Sequence, residues 1–388
     1  MPALVGGFGE QKISKLSLKK FQEKISNNLS NLVSKKYKST MISSFSSIKF
    51  MTDRYTVDLE VFPAKEKETE KSKEDIPYNN NLNLNIKFCS YLAGLIEGDG
   101  TFAVHSKDST AKKYSPKIII VFKLADLPLA EYLKNISDCG TILKKPNRGY
   151  VLWQIQNIVE IYTIVNLING YMRTPKIEAL ERTINWLNDY ILKNKNSKLP
   201  TTKLILSKIQ PIKLKSLDIS SIESNAWLSG FTDSDGNFSI NIHKRTNKNS
   251  TRVQLFYRME IKQNYHRLDP VGKQESFFTI MSKLALFLNV NVISRSRIIN
   301  EKQFSSFIVI AHNKESLTII TEYFLKFPLI SSKHLDFKAW KNILELQKTN
   351  SITTSYLNEA IKTRKDFNKS RTTFNWDHLK DCYLINLK

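Results

Sequence analysis

Two twelve-residue phrases in this chain are nearly the same. Residues 91–102 read YLAGLIEGDGTF and residues 227–238 read WLSGFTDSDGNF. Each is an apolar run ending in small residues and a pair of acids, Glu97 with Asp99 and Asp233 with Asp235. The final aspartates stand 136 positions apart (235 − 99). A solenoid needs three or more short repeats, so this pattern predicts one large unit duplicated. Matching segments follow each phrase: strand-like TFAVH and NFSINIH, then KIIIVFKLAD and RVQLFYRMEIKQ. Helix-like LPLAEYLKNI and SFFTIMSKLALFL come next, and related phrases, YMRTPKIEALERTINWL and FPLISSKHLDFKAWKNIL, close the blocks. Lys176 and Lys333 take corresponding places in those closing phrases. The unit begins α, β, β, α.

The halves are expected at 87–195 and 222–348, joined by a lysine-rich linker at 196–221 with Pro200 and Pro211. Residues 1–86 read as an N-terminal extension and 349–388 as a C-terminal one. Within the first extension, Ile13, Leu16, Phe21, Ile25, Leu29 and Leu32 share a helical face, as in a basic amphipathic helix or a transit-like segment. The run KEKETEKSKED at 65–75 reads as a solvated linker. Fifty-nine basic residues against 36 acidic give 388 residues a net charge of +23, which points to a polyanionic partner. Cys89, Cys139 and Cys382 are widely spaced and the histidines scattered, which excludes a disulfide framework and a zinc site. No apolar run reaches the roughly 18–20 residues of a membrane span, so no membrane is expected as partner.

Read as a helix, each phrase puts small residues four apart on one face: Gly94 with Gly98, and Gly230 with Ser234. Such spacing lets two helix backbones approach more closely than the usual 8–10 Å or so. The two copies are therefore expected to pack on each other as the interface between the halves. Asp99 and Asp235 fall in the last turn, before Gly100 and Gly236, which suit a left-handed C-cap. A carboxylate there opposes the helix dipole at a cost of about 0.3–1 kcal/mol. Two such groups brought together repel further, and a divalent cation relieves both conflicts. Oxygen ligands suit Mg²⁺, and paired metal sites support phosphodiester cleavage. Glu97 and Asp233 are expected to shape or cap the interface.

On these residues, LAGLIEGDG and LSGFTDSDG, the chain resembles the double-motif LAGLIDADG homing endonucleases over about residues 87–348. The resemblance implies an α+β protein of two pseudo-twofold related αββαββα halves whose saddle-shaped antiparallel sheets lie in the DNA major groove. It implies metal binding by Asp99 and Asp235 and a catalytic role for both. It places Lys176 and Lys333 near the scissile phosphate. It maps a polar, water-ordering residue to Gln263, with Asp126 or Lys123 as counterpart. The implied activity is site-specific double-strand cleavage of an intronless allele by a monomer. The alternative is an RNA maturase acting on the host intron, which the intact acidic pair disfavours.

Residue patterning agrees with a DNA-facing sheet. Phe238, Ile240 and Ile242 alternate with Asn237, Ser239, Asn241 and His243. In the next strand Arg252, Gln254, Arg258, Glu260 and Lys262 share a face, and these residue types read base edges. The first half offers Thr101, His105 and Lys107, whereas Lys117 to Lys123 is apolar almost throughout. Arg295 and Arg297, with Lys302, form a basic stretch suited to phosphates, and Lys144, with Lys145 and Arg148, is its first-half equivalent. Finally, MPALVGGFG at the start resembles a segment of cytochrome c oxidase subunit one. That implies an intron reading frame continuous with an exon of that gene, a mitochondrial product, and a DNA target that includes the codons ending that segment.

Overall fold

The computed structural model describes residues 85–104, 115–244, 251–268, 271–350 and 353–384. The first half comprises α1 (Ile86–Asp99), β1 (Gly100–Ala103), β2 (Lys117–Lys123), α2 (Leu127–Ser137), β3 (Thr141–Lys145), β4 (Tyr150–Ile155), α3 (Ile158–Ile168) and α4 (Ile177–Asn194). A short helix, α5 (Pro200–Leu206), lies in the linker. The second half repeats the order with α6 (Trp227–Asp235), β5 (Gly236–Lys244), β6 (Thr251–Lys262), an added hairpin of β7 (Asn264–Leu268) and β8 (Gln274–Ser276), α7 (Phe278–Phe287), β9 (Val292–Ile299), β10 (Lys302–Ala311), α8 (Lys314–Lys326) and α9 (Lys333–Asn350). A further helix, α10 (Thr354–Lys365), follows. The strand orders β1-β2-β4-β3 and β5-β6-β10-β9 are the same antiparallel topology twice. The fold is α+β with two αββαββα halves, each extended by one helix.

Strand alternation builds the layers. In β6, Val253, Leu255, Tyr257, Met259 and Ile261 are buried, and in β2, Ile118, Ile120 and Phe122 are. Helices α2, α7, α8 and α9 pack on these faces, and the opposite faces stay open. Trp153, Tyr257, Phe238 and Trp340 are the largest fully buried side chains within the halves, and Tyr91 and Trp227 those of the helix pair between them.

Side-chain amides strap the linker to the first half. Asn169 Nδ2 donates to Lys213 O and its Oδ1 accepts from Lys215 N, both at 2.9 Å. Asn188 does the same with both backbone groups of Ile212 at 2.9 Å. Arg173 donates to Asp218 and to the carbonyl of Ser220, each at 2.8 Å. The C-terminal segment folds back onto the second half. Arg371 pairs with buried Asp336 at 2.7 Å, and Asn368 Nδ2 donates to Phe238 O at 2.8 Å. Asn85 Nδ2, at the start of α1, donates to Leu384 O at 2.8 Å. Among the described residues, no helix is long and apolar enough to cross a membrane.

Candidate active site

Helices α1 and α6 meet backbone to backbone. A Cβ built on Gly94 would lie 2.1 Å from Trp227 O, and one on Gly230 would lie 1.9 Å from Tyr91 O. One on Gly98 would lie 1.8 Å from Ser234 Oγ. Ser234 fits opposite because its hydroxyl turns back onto its own helix and donates to Phe231 O at 2.8 Å. The sequence expectation for the next glycines needs correction. Gly100 and Gly236 are extended, with φ −82° and −77°, and not left-handed. Each helix passes straight into its strand, and glycine is required there by crowding. A Cβ on Gly100 would lie 2.6 Å from Ile96 O, and one on Gly236 would lie 2.5 Å from Thr232 Cγ2.

Glu97 and Asp233 are buried and form two related networks across the interface. Glu97 accepts from the backbone N–H groups of Arg173 (2.9 Å) and Thr174 (2.6 Å), from the Thr174 hydroxyl (2.6 Å) and from the Trp227 indole N–H. Asp233 accepts from the N–H groups of Ile330 (2.8 Å) and Ser331 (3.2 Å), from the Ser331 hydroxyl and from the Tyr91 phenol at 2.8 Å. Each acid thus fixes the loop before α4 or α9 of its own half and takes one bond from the opposite half's helix. A buried carboxylate satisfied this fully is stable where an unsatisfied one is not.

Those loops carry the lysines. Lys176 Nζ donates to Ile96 O, Gly98 O and Gly100 O at 3.0, 3.1 and 2.9 Å. Lys333 Nζ donates to Thr232 O and Ser234 O at 2.9 and 2.7 Å. Each lysine caps a helix C-terminus and sits beside its aspartate. The dipole conflict read from the sequence is therefore answered first by the chain itself. All three N–H bonds of Lys176 are used. One of Lys333 is not among these bonds.

Asp99 and Asp235 are reached by water, yet both are crowded by protein. Partial desolvation, then the Asp235 charge, raise Asp99 to about 6 against the pull of Lys333 and Lys176. Desolvation raises Asp235 too, opposed by Lys333, Lys176 and Lys262. Burial lowers Lys176 to about 8, with Glu97 and Asp235 opposing. A pair of carboxylates that resist ionising together favours a hard cation between or beside them. No group of three His, Cys, Asp or Glu side chains converges among the described residues, so such a cation would keep several waters.

The centre opens into a groove lined by Thr101, Val121 and Arg182 of one half and Glu260, Lys262 and Tyr265 of the other. Asn237, Ser239, Asn241 and His243 pair with Arg258, Phe256, Gln254 and Arg252 and so share their open face. Glu260 binds Arg258, Arg297 (3.2 Å) and the Ser306 hydroxyl (2.7 Å), which joins three strands on that face. Arg295 pairs with Ser306 on the same side. Two expectations change. Lys144 points to the helix layer and pairs with Glu131 at 3.4 Å, because Leu143 and Lys145 take the open side of β3. Gln263 follows the end of β6, donates to Ser294 Oγ at 2.7 Å and lines the cleft beside Asp235, together with Lys262. The register makes Lys123 the counterpart of Lys262, whereas Asp126 is buried and accepts from Ser332 N at 2.8 Å. His105 and Lys107 lie outside the described residues, as does the MPALVGGFG segment. The sequence reading missed Tyr91, Trp227, Thr174 and Ser331, although Tyr91 and Trp227 open the two phrases in register.

Duplicated halves, a small-residue helix pair and one composite acidic centre define a single-chain pseudo-dimer with two related motifs. The chain belongs to the LAGLIDADG endonuclease family, whose sequence profile matches residues 92–187 and 228–344. It is 44% identical over 326 residues to the intron-encoded DNA endonuclease aI3 of Saccharomyces cerevisiae, covering 81% of this chain and 77% of that one. It is 27% identical over 286 residues to a cox1 intron-2 protein of Schizosaccharomyces pombe, covering 73% and 74%. Its fold matches the LAGLIDADG homing endonuclease I-GzeII, solved with a DNA target, at a TM-score of 0.52 and 18% identity, over 73% of this chain and 99% of that one.

Proposed function

We propose that this chain is a homing endonuclease, a monomer that cuts both strands of double-stranded DNA at a long site in the intronless allele of its host gene. Asp99 and Asp235 side by side at the ends of the helix pair, between two open sheet faces, carry the reading. These carboxylates would hold divalent cations, Mg²⁺ in the cell, which when bound supply an activated water and stabilise the leaving oxygen. Lys176 and Lys333 keep positive charge against the helix ends, beside the phosphates of a bound duplex. Lys262 in the groove and Lys123, its counterpart by register, join Gln263 as polar groups beside the centre. Asn237, Ser239, Asn241, His243, Arg252, Gln254, Arg258 and Arg297 face base edges, with Thr101, Arg295 and Lys302 on the flanks. The kinship with intron-encoded proteins, one from a cox1 intron, supports a mitochondrial setting and an insertion site in the same gene.

The test uses a duplex spanning the uninterrupted codons for GGFG and the exon beyond, with and without Mg²⁺. Both strands are expected to be cut with the ion, and Asp99→Asn and Asp235→Asn are each expected to abolish cutting while binding persists. Tight, Mg²⁺-independent binding to the host intron transcript, with no cutting of any selected duplex, would favour the maturase reading instead.

A further inference from the structure

The open faces of the two sheets differ in chemistry beside the acidic centre. Gly100 pairs with Ile120 and Gly236 with Met259, each glycine following its aspartate. Ile119 and Val121 therefore hold in the first sheet the places that Arg258 and Glu260 hold in the second. Val121 pairs across with Leu152, and Leu152 with Leu143, which makes an aliphatic row over three strands. Val121 and Leu143 are each 40% exposed, while Ile118, Ile120, Val151 and Trp153 on the other face are buried. The row is continuous with the acidic groove, because Val121 lines that groove. Lysines edge it: Lys123 and Lys145 both pair with Tyr150 on the next pleat, and Lys117 lies at the strand's far end. Positive charge around an apolar strip fits a nucleic-acid surface better than a protein one.

We infer that this row reads thymine methyl groups, so that the two halves of the DNA site are recognised by different chemistry. The inference rests on the endonuclease reading above. In the major groove the thymine C5-methyl is the apolar feature, and aliphatic side chains contact it. The first sheet has no hydrogen-bonding fork at Ile119 and Val121, so those places select by apolar burial, with Gln154 beside Ile119 as the polar group on that face. At Arg258 and Glu260 the second sheet selects by hydrogen bonding instead: Glu260 holds Arg258 and Arg297 in place, and arginine pairs with guanine O6 and N7, while Ile308 and Ile293 continue the row outward. The half-site under the first sheet is then thymine-rich, and the other contains guanine. Glu260 is a positioning residue in this scheme, acting through the two arginines.

The probe is a duplex recovered by the full chain in EDTA from a pool randomised over about 30 base pairs. Its thymines are then replaced by deoxyuridine in one half or the other, which removes only the methyl groups. In the half under the first sheet, affinity is expected to fall about fourfold per contacted methyl. In the other half it is expected to fall less, because Glu260 stands there in the place of Val121, with Ile293 and Phe304 as exposed apolar surface on that face. Leu143→Ser and Val121→Ser, both on the open face, are each expected to erase the sensitivity while leaving the second half-site unaffected. Equal response in both halves, or undiminished sensitivity in both serine variants, would overturn methyl reading and leave the endonuclease intact. Recovery of no sequence above background would overturn the endonuclease reading, and methyl reading with it.

Discussion

A carboxylate at a helix C-terminus faces the negative end of the dipole, and here two of them also face each other. Burial first, and then the charge of Asp235, raise Asp99 from 3.8 to about 6. Between those values the folded chain holds more proton than the unfolded one, so this group's contribution makes stability fall as pH rises through that window. Asp99→Asn is therefore expected to abolish cleavage yet leave the melting temperature of the metal-free protein equal or higher, which calorimetry in EDTA measures. Metal binding needs the ionised form, so cleavage is expected to decline as pH drops through about 6. It is also expected to decline as pH rises above about 8, where Lys176 loses the proton that serves its third carbonyl. A pH–rate profile of kcat/KM checks both limbs, and a flat profile would contradict the assignment. Gly94 makes a separate point: its missing Cβ is what lets Trp227 O approach. Gly94→Ala is expected to cost about 1–3 kcal/mol of stability in urea unfolding, through overpacking of a rigid backbone contact.

At the level of elements, the acidic networks set where the lysines land. Trp227→Phe keeps the ring but removes the only indole donor to Glu97. It is expected to cost about 1–3 kcal/mol, because a buried carboxylate is left short of a partner. It should also slow cleavage with little change in duplex affinity, since the loop that carries Lys176 is loosened. Comparing kcat with the dissociation constant separates these effects. The strands show how far sequence could lead. The faces of β5 and β6 were legible because polar and apolar residues alternate strictly along them. The face of β2 was not, because Ile119 and Val121 are apolar on the open side as well. Gln263 lies one residue past the end of β6, in the cleft that also holds Asp235 and Lys262, and only the ladder shows that Lys262 shares the centre with it. Gly100 and Gly236 were rightly singled out for the wrong reason: crowding, and not a left-handed turn, demands them. The duplicated architecture itself was plain, because the two phrases and the elements after them repeat in order.

For the whole molecule, the surplus of positive charge and the open faces predict steep salt dependence. If six to ten phosphates are contacted, affinity should fall by about 10³–10⁵ between roughly 50 and 200 mM salt, and a flat titration would count against the duplex mode. The C-terminal segment belongs to the stability of the second half and is more than an appendage. Arg371 is the charge that balances buried Asp336, while Asn368 anchors the same segment to the backbone of β5. Arg371→Met is expected to destabilise by about 3–5 kcal/mol, because Asp336 would remain buried without its counter-charge.

The cross-bonded acids also govern which halves can be recombined. Glu97 depends on an indole at 227, and Asp233 depends on a phenol at 91, each supplied from the other side of the interface. A chimera that joins this first half to a relative's second half inherits an acid whose partner is chosen by the donor sequence. Phenylalanine at the position of Trp227 would leave buried Glu97 one donor short even if every DNA-facing residue were ideal. Two letters therefore state the compatibility rule for grafting, and they can be checked before any gene is built.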